Sequence, residues 1–355
     1  MKSKNPEIFL KINQKIQNLL GQDFYLLGEW TSRFEEDFAR YSKASHCIGV
    51  SSGTSALQLL LKSLDLPVGS GIMVTSFCPI PTIMSILEVG HVPVFVDIEK
   101  DTLNISPRTL HEAYNSSCKA VLAVHIFGKL APMLEISHWA ESKSMFVLED
   151  ACQAVGSYSN SSTIAQHSWG AAMSFYPTKN LGAWGDAGAV LTNSLACKTR
   201  ICELRNYGLD ESFQSRGTGG NYRMDEIQAL VLDEKLACMN EFHNQRMTLV
   251  SQYRNLLPKE GFQPVELGEF HNHHVFSFLL ENPMQREQYR EFCKLHKLRA
   301  NFFYEKPIYK SEGLKHHACK DLEGVSDVCS RIINLPLNEP QLTEEVCKFL
   351  NSILS

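Results

Sequence analysis

The sequence predicts an α/β protein whose mainly parallel sheet is covered on both faces. Three observations carry that expectation. Between residues 45 and 193, short runs rich in valine and isoleucine alternate with stretches of helical periodicity. The strand-like runs are apolar throughout rather than alternating apolar with polar, the pattern of strands buried on both faces. The chain is also long enough, at 355 residues with 44% hydrophobic and 21% charged residues, to bury a large core and to divide in two. A large domain over residues 1–240 and a small C-terminal α/β domain over 241–355 are expected.

The elements follow in order. Ile8, Ile12, Ile16 and Leu19 recur at three- and four-residue spacing, so the chain starts in an amphipathic helix. HCIGV (46–50), IMVTS (72–76), PVFVDI (93–98), AVLAVHIF (120–127) and MFVLED (145–150) are the expected strands. SALQLLLKSL (55–64), PTIMSILEV (81–89) and MLEISHWAES (133–142) are the helices between them. One long helix over roughly 225–257, carrying Ile227, Leu230, Leu236 and Met239, is expected to bridge to the small domain. That domain reads as a strand (273–281), a helix (284–296), a late strand (331–337) and a closing helix from Thr343.

Composition narrows the function. A net charge of −5 supplies no basic footprint for nucleic acid or an anionic membrane, so an anion site must come from local geometry. The eleven cysteines form no C-x-x-C pair and read as reduced cytosolic thiols. The first twenty residues lack the apolar core of a signal peptide, and no run approaches the ~18 apolar residues of a membrane span. A cytoplasmic, non-membrane protein is expected. The HNHH cluster (271–274) holds adjacent histidines at a strand start, which cannot all converge on one ion, so no metal site is read there.

Three segments carry chemistry. In SSGTSAL (51–57), Gly53 permits a tight turn, Thr54 and Ser55 offer hydroxyls, and the following helix presents unpaired N–H groups to an anion. An ordinary capped helix has the same look. MFVLED ends in Asp150, a carboxylate behind an apolar strand that suits a pyridinium nitrogen. In AAMSFYPTKNLGAWGDAGAVLTN (171–193), Lys179 occupies a short turn between apolar runs. Partial desolvation there lowers the pKa of its amine, as Schiff-base chemistry requires. Phosphate cradle, acidic strand end and lysine turn are together the parts of a pyridoxal phosphate enzyme.

These segments, with FYLLGEWTSRFEEDFARY (24–41), AVHIFGKLAPM (123–133), GGNYRMDEIQALVLDEKL (219–236) and NLPLNEPQLTEE (334–345), resemble the DegT/StrS-type aminotransferases of nucleotide-linked keto-sugars almost end to end. The resemblance implies an aspartate-aminotransferase-like large domain (fold type I) and pyridoxal 5'-phosphate as cofactor. It implies Lys179 as the catalytic lysine that holds the cofactor and moves the proton, and Asp150 on the ring nitrogen. Gln153 would meet the ring's phenolic oxygen and Phe77 would stack on the ring. Gly53, Thr54 and Ser174 would bind phosphate, and Asn221 would reach the phosphate of a neighbouring subunit, making a homodimer with shared active sites. Tyr304, Lys306 and Tyr309, in NFFYEKPIY (301–309), would face the sugar nucleotide. A lysine at 179, where some relatives carry histidine and act as dehydratases, favours transamination.

Two positions depart from the family pattern. Val155 replaces a common histidine, and NSSTIAQ (160–166) replaces a Gly-Arg-x-Gly loop; both lie near the expected sugar pocket. GAWGDAGA and RNYG (205–208) are more similar to members acting on 3-keto than on 4-keto sugars. The leading expectation is amination of a nucleotide-linked keto-deoxysugar with glutamate as donor, for glycan, lipopolysaccharide O-antigen or natural-product synthesis. A second is amination of a free keto-sugar, keto-cyclitol or sugar-acid aldehyde. A third, a regulatory protein that binds the cofactor without catalysis, lacks the basic surface that a DNA-binding role requires.

Overall fold

The computed structural model describes residues 6–21, 24–159, 162–257, 271–298, 302–317, 319–337 and 342–354, and the backbone of 263–264. Helices α1 (Pro6–Leu20) and α2 (Glu29–Ser42) precede β1 (His46–Val50). Then come α3 (Gly53–Lys62), β2 (Gly71–Thr75), α4 (Ile80–Glu88), β3 (Val92–Val96), α5 (Pro107–Ala113), β4 (Cys118–Val124), α6 (Met133–Glu141) and β5 (Phe146–Asp150). β6 (Gly170–Ser174), β7 (Gly188–Thr192), α7 (Leu195–Arg205), α8 (Glu226–Leu236) and α9 (Met239–Leu256) follow. The C-terminal part contains β8 (Gln263–Pro264), β9 (Phe276–Leu279), α10 (Pro283–Leu295), α11 (Glu323–Arg331), β10 (Ile332–Leu335) and α12 (Thr343–Leu354).

Among the described residues, seven strands form one sheet in the order β1-β7-β6-β5-β4-β2-β3. β7 runs antiparallel to both neighbours, β1 and β6, and every other pair is parallel. β1 to β6 therefore all end at the same edge of the sheet. Alternate residues of each strand feed opposite faces, as the two-residue period of a strand requires. Ile48, Ile72, Val74, Leu122, Leu148 and Val190 pack with the leucines of α3. Cys47, Ala171, Met173 and Leu191 pack beside Phe34 and Phe38 of α2, and Met73, Val121 and Val147 pack with Ile136 of α6. The apolar strand runs are thus explained by a sheet covered on both sides.

The structure differs from the sequence expectation in three places. The single helix expected over 225–257 is two, broken after Leu236, because its halves serve different cores. α8 buries Leu230 and Val231 against Ile8, Ile12 and Leu19 of α1, whereas α9 buries Leu249, Val250 and Tyr253 against β9 and β10. β4 stops at Val124, and Ile126–Gly128 forms a 3-10 turn with Phe127 at φ 55. β9 starts only at Phe276, since Asn272 and His274 just before it are committed to side-chain hydrogen bonds with the large sheet's loops. The antiparallel sheet β10-β9-β8 forms the second layer of strands.

Candidate active site

Ligands of open α/β sheets bind beyond the carboxyl ends of the strands, and Gly53, Thr54, Phe77, Asp150, Gln153, Ser174 and Lys179 gather at that edge. β1 leads into α3 through Ser52, an extended N-cap whose Oγ accepts from Ser55 N at 3.0 Å. Gly53 opens the helix where no larger residue fits: a Cβ there would lie 2.7 Å from Ser174 Cβ and 2.9 Å from Cys152 Sγ. Gly188, between Val50 and Ser174 in register, is equally constrained, since its Cβ would meet Ser52 C at 2.3 Å. The result is a narrow cradle of backbone and small side chains, with Gly53 buried, Ser174 8% exposed and Thr54 half-buried.

Asp150, the last residue of β5, is 3% exposed. Thr82 Oγ1 donates to its Oδ2 at 2.7 Å and Cys152 N to its Oδ1 at 3.1 Å, which fixes the plane of the carboxylate. Gln153 Oε1 accepts from Phe127 N at 2.7 Å, so its amide nitrogen must point the other way, and it donates to Tyr304 Oη at 2.9 Å. Phe77, fully buried after β2, meets Tyr304 edge to face at a centroid distance of 5.4 Å. Phe127 lies nearly parallel to the Tyr304 ring, 6.2 Å away. Burial pushes the Tyr304 phenol well above its usual value, so it stays a neutral hydroxyl.

Lys179 follows β6 in a turn closed by Lys179 N to Tyr176 O at 2.8 Å and by Ala183 N to Phe175 O at 2.8 Å. Burial lowers its amine below the ordinary lysine value, and the opposing pull of Cys152 and Asp150 does not restore it. The desolvation expected from the sequence is therefore present in the fold.

The remaining residues are distributed differently. Asn221 is exposed, with its Oδ1 accepting from Arg223 Nε at 3.0 Å, while the neighbouring backbone pairs with the end of β1 through Ser51 N to Tyr222 O at 2.9 Å. Lys306 is exposed. Tyr309 is 5% exposed, donates to Asp321 Oδ1, and packs on Phe95, so its hydroxyl is not among the groups gathered around Asp150. Val155 is buried; in the 160–166 loop, residues 160 and 161 lie outside the described residues. No group of three or more metal-ligating side chains occurs among the described residues. Thr82, Asn180, Asn272 and His274 adjoin the site without having been legible in the sequence. Each is a common polar residue far along the chain from its partner, and only the fold pairs them.

The model of the DegT/DnrJ/EryC1/StrS aminotransferase family matches residues 6–353. A protein of Geobacillus stearothermophilus named a pleiotropic regulatory protein is 30% identical over 94% of this chain and 91% of its own. The dTDP-3-amino-3,4,6-trideoxy-alpha-D-glucose transaminase of Micromonospora megalomicea subsp. nigra is 29% identical over 91% of this chain and 88% of its own. The crystal structure of DesV from S. venezuelae superposes with a TM-score of 0.92 at 29% identity, covering 100% of this chain and 97% of that one. The chain belongs to the DegT/DnrJ/EryC1/StrS family and is a pyridoxal-phosphate-dependent aminotransferase.

Proposed function

We propose that this enzyme transfers the amino group of glutamate to the keto carbon of a nucleotide-linked deoxysugar, with the 3-keto position as its target. The observation that carries the site assignment is the meeting, at one sheet edge, of a half-buried Lys179, its amine held below the ordinary lysine value by desolvation, with a buried Asp150. The cradle of Gly53, Thr54 and Ser174 suits a phosphate, and Gly188 allows the backbone approach that makes it. Pyridoxal phosphate, when bound, supplies an aldehyde for the amine and a protonated ring that withdraws electrons. Lys179 Nζ, as the neutral amine that desolvation favours, would hold the cofactor and would move a proton to and from the reacting carbon. Asp150, held by Thr82 and Cys152, would keep a proton on the ring nitrogen. Gln153 and Phe77 would meet the ring's edge and face, and Tyr304 and Lys306 would face the sugar.

The 3-keto preference is supported by relatives named for 3-amino sugars, among them the dTDP-3-amino-3,6-dideoxy-alpha-D-galactopyranose transaminase of Aneurinibacillus thermoaerophilus, 29% identical over 97% of this chain. A place in polysaccharide or O-antigen synthesis fits the GDP-perosamine synthase of Vibrio cholerae, 26% identical over 92%. No helix among the described residues is long and apolar enough to cross a membrane, and we assign the enzyme to the cytoplasm. The small domain is taken to start near residue 241, at the first turn of α9. An amino-transfer assay with glutamate and a panel of thymidine- and uridine-diphosphate keto-sugars tests the substrate. Amination of the 3-keto compounds is expected, and exclusive activity on free keto-sugars or keto-cyclitols overturns the reading.

The enzyme is further read as a homodimer with shared sites. Support comes from the exposed Phe24, Tyr176, Tyr207 and Phe213 and from the exposed Asn221, whose amide has no role in its own subunit's cradle. Mixing the impaired variants Lys179→Ala and Asn221→Asp under subunit exchange is expected to restore activity in one pocket of each mixed dimer. Verified exchange without recovery means that the sites are not shared.

A further inference from the structure

The His271–His274 segment has the composition of a metal site and the geometry of something else. Asn272, 2% exposed, donates through Nδ2 to Gln153 O at 2.7 Å and to Val155 O at 3.0 Å. Its Oδ1 accepts from His274 N at 2.9 Å, and its backbone oxygen accepts from Asn180 Nδ2 at 2.8 Å. Room for the carboxamide exists only because residue 128 is glycine, where a Cβ would lie 2.0 Å from Asn272 Oδ1. Asn180 is the residue after Lys179, and Gln153 stands three after Asp150. One buried residue, through its side chain on one side and its backbone oxygen on the other, therefore ties together the two loops that carry the cofactor-facing groups.

His274 completes the arrangement. Since Asn180 gives its amide nitrogen to Asn272 O, its Oδ1 is left facing His274 Nδ1 at 3.2 Å. An amide oxygen only accepts, so Nδ1 carries the hydrogen and the ring is the Nδ1–H tautomer. Burial, then the nearby charges of Lys179 and Arg246, hold the imidazole neutral. Arg246 in turn donates to His273 O at 3.1 Å, fixing the segment from the α9 side.

We propose that Asn272 and His274 are positioning residues that clasp the Lys179 turn to the Gln153 loop, so that the strand entering the small domain sets the geometry of the reaction. This rests on the assignment of Lys179 and Gln153 as cofactor-facing groups. The clasp acts on the reacting geometry and not merely on the fold, because its hydrogen bonds end on residues adjacent to those that touch the cofactor.

The test uses the cofactor-loaded enzyme and two substitutions at one position. His274→Phe keeps a ring of similar size but has no donor for Asn180; His274→Asn offers an amide N–H where Nδ1–H stood. Expected for His274→Phe are a fall in kcat of about tenfold with the donor KM within about twofold, a weaker equilibrium affinity for pyridoxal phosphate, and an altered visible spectrum of the bound cofactor. His274→Asn is expected to restore all three towards the parent. Asn272→Asp, which sets an acceptor against two carbonyl oxygens, should reproduce the His274→Phe pattern. If the variants lose melting temperature while the folded fraction keeps the parental kcat, cofactor affinity and spectrum, the segment is only structural and the proposal fails. Should the parent protein itself form no covalent adduct at Lys179, the functional reading fails instead, and the two failures are distinguishable.

Discussion

At the scale of single residues, Lys179 and Asp150 carry the sharpest consequences. The Lys179 amine is held below its ordinary value by burial, so the neutral, attacking form is available at lower pH than for a surface lysine. Capture of pyridoxal phosphate, followed by visible absorbance, is expected to reach half its maximal rate at a pH below 10.5, and Lys179→Ala to give no adduct. The same depression means that the lysine costs stability at neutral pH, where the unfolded chain holds the proton more tightly. The cofactor-free Lys179→Ala protein should therefore melt no lower than the parent. Asp150→Asn keeps the shape of the pocket and the hydrogen bond from Thr82 but cannot hold a proton on the ring nitrogen. Cofactor retention with turnover reduced roughly 100-fold or more is expected, and near-parental turnover would remove its assigned role.

At the scale of elements, helix α2 shows a cap borrowed from far along the chain. Its N-cap is Gly28, which has no side chain to offer, and the buried carboxylate of Glu226 takes over. Glu226 accepts from Gly28 N, Trp30 N and Thr31 N, each at 2.9 Å, and from the Thr31 hydroxyl. Removing that carboxylate strands the first N–H groups of α2 in a buried place. Glu226→Ala is expected to lower the unfolding free energy by about 3 kcal/mol, read as a lower denaturant midpoint at unchanged slope. The DEIQA run, striking in the sequence for its family likeness, thus has a mechanical task as well. A second element-level test concerns β7: Gly188→Ala forces the Ser52 backbone away from the cradle. Cofactor affinity should weaken by at least about tenfold, a loss comparable to the ~1–3 kcal/mol of overpacking, as measured by equilibrium binding.

At the scale of the whole molecule, the junction between the large sheet and the C-terminal part makes stability depend on pH. His273 is pushed down to about 4 by burial, and His271 lies well below its usual value for the same reason. Both are folded as neutral rings, whereas the unfolded chain takes up protons near 6.5. Between about 6.5 and 4 the unfolded state binds more protons, so stability is full above that window and declines as pH falls through it. The depression at His273 alone corresponds to about 3 kcal/mol. Melting temperature is expected to drop on acidification from pH 7 to 5, with a smaller drop in His273→Gln. Equal slopes for the two proteins would show that the loss arises elsewhere.

Much of the fold was legible because burial on both faces writes itself into composition. β1 to β5 and α3, α4 and α6 stand within about two residues of their expected places at most ends, β4 excepted, since apolar runs and helical periods are local properties. Lys179, Asp150 and the Ser52–Gly53 turn were visible for the same reason, each marking the end of a local run. What the sequence could not convey is contact between distant residues. The break after Leu236 has no proline or glycine to announce it, and arises because α8 and α9 answer to different cores. Glu226 on the α2 amides, Thr82 on Asp150 and Asn272 on Gln153 join residues 195, 68 and 119 positions apart. Hydrogen bonds of that kind depend on direction and distance in space, which no local pattern encodes. By itself the sequence determined the layers, the lysine and the carboxylate; only the tertiary structure decided how they are held, because orientation is a property of the packed molecule.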